Sequence, residues 1–118
     1  MSSNSLTLNL VEGSVSFSFS PEAARKVKAA IADLMQQLKA ATQKTAGSTS
    51  NRPTPQRPME FQYAGDVFLE IFCNPNIWPS PFAAKVLITL RDDRILLTTE
   101  AELTRIIEDI DRYLEIHA

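Results

Sequence analysis

Ala84-Lys85-Val86-Leu87-Ile88-Thr89-Leu90-Arg91-Asp92-Asp93-Arg94-Ile95-Leu96-Leu97 is the stretch that decides the fold. Ala84, Val86, Ile88 and Leu90 recur at every second position, the period of a strand with one buried face. Arg91-Asp92-Asp93-Arg94 then supplies the polar residues of a turn, and Ile95-Leu96-Leu97 resumes as a strand. Two strands joined by so short a connection must run antiparallel. Upstream, Val67, Leu69, Ile71 and Cys73 share one face of a further strand, while Phe68, Glu70 and Phe72 share the other. That strand is expected to be apolar on both sides. Phe61 and Tyr63 precede Ala64-Gly65-Asp66, which reads either as a tight turn or as a bulge, so 59–73 is a hairpin or one bulged strand.

The N-terminal third repeats the logic. Leu6, Leu8 and Leu10 alternate with Thr7 and Asn9, and Val15, Phe17 and Phe19 alternate with Ser14, Ser16 and Ser18. Glu12-Gly13 between them reads as a hairpin turn. Ser20-Pro21-Glu22 has the composition of a helix start: a capping hydroxyl, a proline suited to the first turn, and an acid at the positive end of the dipole. Val27, Ile31, Leu34, Leu38 and Ala41 form one apolar stripe behind it. At the other end, Thr99-Glu100-Ala101-Glu102 reads as a capping box. It opens a last helix with Leu103, Ile106, Ile107, Ile110, Tyr113 and Leu114 as the apolar face and Glu108, Asp109 and Asp111 on the polar side.

Between the halves, 46–58 contains three prolines, Gly47 and several serines and threonines but no large apolar residue. It is expected to be a flexible insertion, because neither side alone has enough core to be a domain. The expected fold is therefore α+β, one domain over 1–118. An antiparallel sheet of four to six strands carries two helices on one face, in the order strand-strand-helix, linker, strand-strand-helix.

Composition narrows the chemistry. The chain has one cysteine, Cys73, and one histidine, His117, which rules out an internal disulfide, a multi-cysteine zinc site and a Ser/His/Asp triad within this sequence. Its three glycines are scattered, so no phosphate-binding loop or dinucleotide fingerprint is present. No cofactor and no metal are expected. Asp92 and Asp93 suit a turn tip, and Cys73 suits an inert buried thiol. Met1-Ser2-Ser3-Asn4-Ser5 lacks the charged-then-apolar pattern of a signal peptide and no run has the length of a membrane span, so a cytoplasmic protein without a membrane partner is expected. Seven basic residues against two acids in 20–57, and five against eleven acids from Pro58 onward, read as solvated helix faces of opposite sign.

Protein binding is the function class that the remaining features favour. Asn74-Pro75-Asn76-Ile77-Trp78-Pro79-Ser80-Pro81-Phe82 combines stiff prolines with the only tryptophan. Trp78, Ile77, Phe82 and Tyr63 are the contact candidates, with Trp78 either presented as an anchor or folded back over the core. The strand carrying Ser14, Ser16 and Ser18 is the second candidate, because it has no lysine, glutamate or proline to discourage edge pairing. A second copy, a helix or an extended segment of a partner is expected to cover it. Two alternatives belong to other classes. One is a small enzyme with its site at a homodimer interface, built around a carboxylate such as Glu70 between Phe68 and Phe72. The other is weak nucleic-acid binding through the basic first helix and Arg52 and Arg57, which have no neighbouring aromatics to stack on bases.

Within 59–114, Val86-Leu87-Ile88-Thr89-Leu90-Arg91-Asp92-Asp93-Arg94 followed by Leu97-Thr98-Thr99-Glu100-Ala101-Glu102-Leu103 resembles small cyanobacterial proteins of the carboxysome assembly factor kind. The resemblance implies a non-enzymatic, chaperone-like protein that holds the flexible tail of a shell protein in a pocket between sheet and helices. It carries over no individual residue roles.

Overall fold

A computed structural model describes residues 5–42 and 57–117. β1 (Ser5–Asn9) and β2 (Ser14–Ser18) form the N-terminal hairpin, and α1 (Pro21–Thr42) follows. β3 (Met59–Ala64), β4 (Phe68–Cys73), β5 (Lys85–Arg91) and β6 (Leu96–Glu102) precede α2 (Leu103–His117). The fold is α+β, and its four-stranded antiparallel sheet has the simple order β3-β4-β5-β6. β1 and β2 pair only with each other, as a separate two-stranded sheet. Ala64 pairs with Phe68, so 59–73 is a hairpin. Of the 46–58 insertion, all but Arg57 and Pro58 lies outside the described residues.

One core joins the elements. The inner face of the sheet supplies Leu69, Ile71, Cys73, Val86, Ile88 and Leu90. The helices meet it with Val27, Ile31, Leu34, Leu38, Leu103, Ile106 and Ile110, and the hairpin adds Leu6, Leu8, Phe17 and Phe19. Each large side chain so buried is worth roughly 1.5–3 kcal/mol of transfer free energy. α1 starts where the sequence says it should, with Ser20 Oγ accepting the Ala23 amide at 3.1 Å.

Two details depart from the sequence reading. Thr99-Glu100-Ala101-Glu102 is not a capping box. β6 continues through it, because Thr99 pairs with Ile88, Ala101 with Val86 and Glu102 with Lys85. Ladder bonds and the burial of Ala101 outweigh a local cap, and α2 starts directly at Leu103, whose amide donates to Ala84 O at 3.0 Å. Asp109 is not on the polar side of α2. It is 4% exposed and is the only buried charged residue among those described. Three residues after Ile106 and four before Tyr113, it falls within the apolar stripe itself.

Asp109 is satisfied by the hairpin. Its Oδ2 accepts the backbone N–H of Asn9 at 2.7 Å and its Oδ1 accepts the Asn9 Nδ2 at 2.8 Å. Nearby, the Tyr113 hydroxyl donates to Phe19 O at 2.6 Å, which fastens the far end of the hairpin. A buried polar group left without its partner costs about 1–3 kcal/mol, and bonds to a charged acceptor lie at the upper end. Asp109→Ala, which orphans the Asn9 N–H, is therefore expected to lower the unfolding free energy by about 2–3 kcal/mol. Urea denaturation of the two proteins checks this. An unchanged midpoint would mean that Asn9 and Asp109 are not coupled.

Candidate functional site

The turn of the N-terminal hairpin sets the phase of its ladder. Leu10 N–H donates to Gly13 O at 2.9 Å, with Gly13 at φ +89° in the left-handed region. From that bond the pattern alternates. Leu8 with Val15 and Leu6 with Phe17 exchange hydrogen bonds, whereas Asn9 with Ser14, Thr7 with Ser16 and Ser5 with Ser18 do not. The backbone groups of Ser5, Thr7 and Asn9 therefore point to the outer side of β1, and those of Ser14, Ser16 and Ser18 to the outer side of β2. The Asn9 amide bonding to Asp109 agrees with this phase.

The two edges are treated differently. β1 lies against α2 and is tied there by Asp109. At the turn, Val11 N–H donates to Glu100 O on the edge of β6 at 3.1 Å, which joins the two sheets at one point. Among the described residues no strand pairs with the outer edge of β2. A recess of about 190 Å³ opens beside it, with Val15 and Phe17 on one side and Val67, Leu90, Ile95 and Leu97 on the other. A second recess of about 220 Å³, sharing Ser18 and Val67 with the first, extends it past Phe19, Tyr63 and Gly65. The result is a trough that is mainly apolar in its first half, with Arg91 and Asp92 beside it, and polar in its second, where Ser18, Ser20 and Asp66 line it; among the described residues no strand pairs with its β2 rim.

The aromatic loop sits at the other end of the sheet. Asn74 Oδ1 accepts the Asn76 amide at 3.0 Å and starts a single 3-10 turn, Pro75–Ile77, with Pro75 buried beneath α1. Trp78 is half-buried and packs against the core, so its ring covers apolar surface as well as bordering solvent. Its indole Nε1 is buried without a well-aligned hydrogen-bond partner. The neighbouring Cys73 thiol is pushed above its ordinary value of 9.0 by burial, and the Trp78 indole N–H offsets part of that rise. Ile77 is 64% exposed and Phe82 81% exposed.

The candidate residues thus fall into two groups. Ile77 and Trp78 line a groove of about 210 Å³ with Phe72, Lys85, Leu87 and Glu100. Phe82, on the next turn, Pro81–Ala83, does not line it. Tyr63 belongs to the opposite end, where its ring meets Phe19 edge-on at 5.5 Å beside Ser18. The sequence reading groups Tyr63 with Trp78, Ile77 and Phe82 as contact candidates, whereas the structure places it beside Ser18 and Phe19. That reading also missed Val67, Ile95 and Leu97 as trough walls, since each reads from alternation alone as ordinary strand apolarity.

Asp92 and Glu70, the carboxylates that the sequence singles out, both accept hydrogen bonds. Asp92 accepts the amides of Arg94 and Ile95 at 2.8 Å each, which fixes the β5–β6 turn and holds its carboxyl below the usual range. Glu70 lies on the open face of the sheet and accepts from Gln62 Nε2 at 2.8 Å. Among the described residues no cluster of three His, Cys, Asp or Glu could hold a metal ion, and no helix is long and apolar enough to cross a membrane. No protein-family model, curated protein or solved structure matches the chain.

Trp78→Ala should lower stability by about 2–3 kcal/mol, below the range for a fully buried ring, whereas Phe82→Ser should stay within about 0.5 kcal/mol of the parent. Chemical denaturation of both separates a ring that covers the core from one that does not. Cys73 gives a pH test. The folded state holds the thiol proton more tightly than the unfolded chain, so stability is fully present below the ordinary thiol pKa and declines as pH rises past it. Unfolding midpoints measured from pH 8 to about 9.5, below the tyrosine range, should fall more for the parent than for Cys73→Ala. Parallel curves would show that the thiol environment does not discriminate between the two states.

Proposed function

We propose that the protein is a non-enzymatic, cytoplasmic assembly factor that holds an extended segment of a partner protein along the open edge of β2. The observation that carries this reading is the trough beside Ser14, Ser16 and Ser18. An added strand would find backbone donors and acceptors at three alternate positions. Every second side chain of that strand would enter the apolar floor between Phe17 and Leu90. Backbone pairing would supply affinity without demanding a sequence, and the floor would select apolar residues at alternate positions. Serine at all three edge positions keeps the approach unobstructed, and no charge or proline in β2 resists pairing.

The resemblance to carboxysome assembly factors suggests the partner: the flexible tail of a carboxysome shell protein is what we propose for the trough, held between the hairpin and the sheet rather than between sheet and helices. Tyr63, at its far end, offers a ring and a hydroxyl to a residue leaving it. The Trp78 loop, at the opposite end of the sheet, is not part of this site.

The test is an NMR titration of the full chain with synthetic peptides of cyanobacterial shell-protein tails. Amide shifts should concentrate at Ser14, Ser16, Ser18 and Val67, and those serine amides should exchange with solvent quickly in the free protein and slowly in the complex. Ser16→Pro, which deletes the central edge donor at a position that edge strands tolerate, should weaken binding at least tenfold with the fold retained. Shifts confined to the Trp78 loop, or no binding by any tail, would overturn the proposal.

A further inference from the structure

The sheet has a second face, and the described residues do not cover it. Both helices pack on the inner side. The outward positions form cross-strand rows fixed by the register. One row reads Glu60, Phe72, Leu87, Glu100 across the four strands; the next reads Gln62, Glu70, Thr89, Thr98; the third reads Ala64, Phe68, Arg91, Leu96. In the first row an apolar pair sits on the two central strands with a glutamate on each edge strand. Leu87 is 40% exposed, and Ile77 rises beside it from the loop.

Acids outnumber cations on this face: Glu60, Glu70, Glu100 and Glu102 share it with Lys85 and Arg91. Arg91 lies over the Phe68 ring at 4.9 Å, and Lys85 stands across from Glu102 and lines the Ile77 groove beside Glu100. Glu70 is half-buried in the middle of the seam between the central strands. An apolar lid would strip water from its carboxylate, whereas a cationic side chain would pair with it. The spacing also selects a shape. Glu60 and Glu100 are three strand spacings apart, about 14 Å, which just straddles an α-helix of about 10–12 Å diameter.

We propose that this face docks an amphipathic helix of a protein partner whose apolar stripe is flanked on both sides by lysine or arginine. The stripe would lie on Phe72, Leu87 and Ile77, and the flanking cations would reach Glu60 on one side and Glu100 on the other. This site is independent of the β2 trough, which opens at the other end of the sheet and on its inner side. The same acids disfavour nucleic acid or an anionic membrane as the occupant. They also disfavour a second copy stacked face to face, which would bring glutamates against glutamates.

The probe is an 18-residue helical peptide with a leucine stripe flanked by lysines, compared with a control of the same stripe flanked by glutamates. In NMR titrations of the full chain, the lysine peptide should shift the amides of Phe72, Leu87 and Glu100 and leave those of Ser14, Ser16 and Ser18 unchanged. Glu60→Lys/Glu100→Lys should weaken it at least tenfold and improve binding of the glutamate peptide. Leu87→Ser, at an exposed position that leaves the fold intact, should weaken both peptides. Equal binding of both peptides to the parent, shifts elsewhere, or no shifts at millimolar peptide would overturn the proposal. So would a protein that sizes as a dimer and is made monomeric by Leu87→Glu, which would assign the face to a second copy.

Discussion

Asp109 bonds both the backbone and the side-chain amide of Asn9, and the arrangement of the N-terminal hairpin depends on that contact. A two-stranded hairpin is marginal in water by itself and exposes two unpaired edges. Here the carboxylate takes the place of a neighbouring strand on the β1 side, supplying the acceptor that the Asn9 amide needs. Leu6 and Leu8 then face the core beside α2, and Tyr113 fixes the far end through Phe19 O. With one edge anchored to a helix and the turn joined to β6 through Val11, the β2 edge can only point outward. The buried carboxylate and the buried hairpin side chains Leu6, Leu8, Phe17 and Phe19 together seat the hairpin so that, among the described residues, its β2 edge has no strand beside it.

The four-stranded sheet is divided just as unequally. Its inner face is a continuous apolar surface under two helices, and its outer face mixes Phe68, Phe72 and Leu87 with glutamates in register. β4 is apolar on both sides. Leu69, Ile71 and Cys73 hold the core, and Phe68 and Phe72 lie on the outer face, where Arg91 covers Phe68 and Ile77 and Trp78 border Phe72. The proposed trough and the proposed helix-docking face sit at opposite ends and on opposite sides of this sheet. A protein that used both could hold a flexible tail and a folded element at once, without either occupant meeting the other.

Much of the fold was legible from residue spacing. The alternation through Val86, Ile88 and Leu90, the Asp92 turn, the double-sided strand before Cys73 and the Ser20 cap each appear in the structure as the sequence implies. These signals are local: a period of two, a short polar turn and a hydroxyl three residues before an amide need no knowledge of the rest of the chain. Thr99-Glu100-Ala101-Glu102 shows the limit. Its residue pattern is as good a local cap signal as that of Ser20, but pairing of Ala101 with Val86 buries more and satisfies more backbone. Asp109 shows the same limit from the other side. Its helical position among Ile106, Ile110 and Tyr113 could have marked it as buried, yet its partner Asn9 is a hundred residues away.

By itself, then, the sequence determined the elements, their faces and the absence of any local motif for phosphate or triad chemistry, because side-chain period and turn composition act over a few residues. It also identified Ser14, Ser16 and Ser18 as an unprotected strand, and Trp78 as a residue with an unusual setting. Only the tertiary structure decided which edge of that strand stays open and that Tyr63 stands beside it rather than beside Trp78. Only the structure brought Glu60, Phe72, Leu87 and Glu100 into one row. Those outcomes depend on register between strands and on a carboxylate meeting an amide across the whole chain, and neither is encoded in any short window of residues.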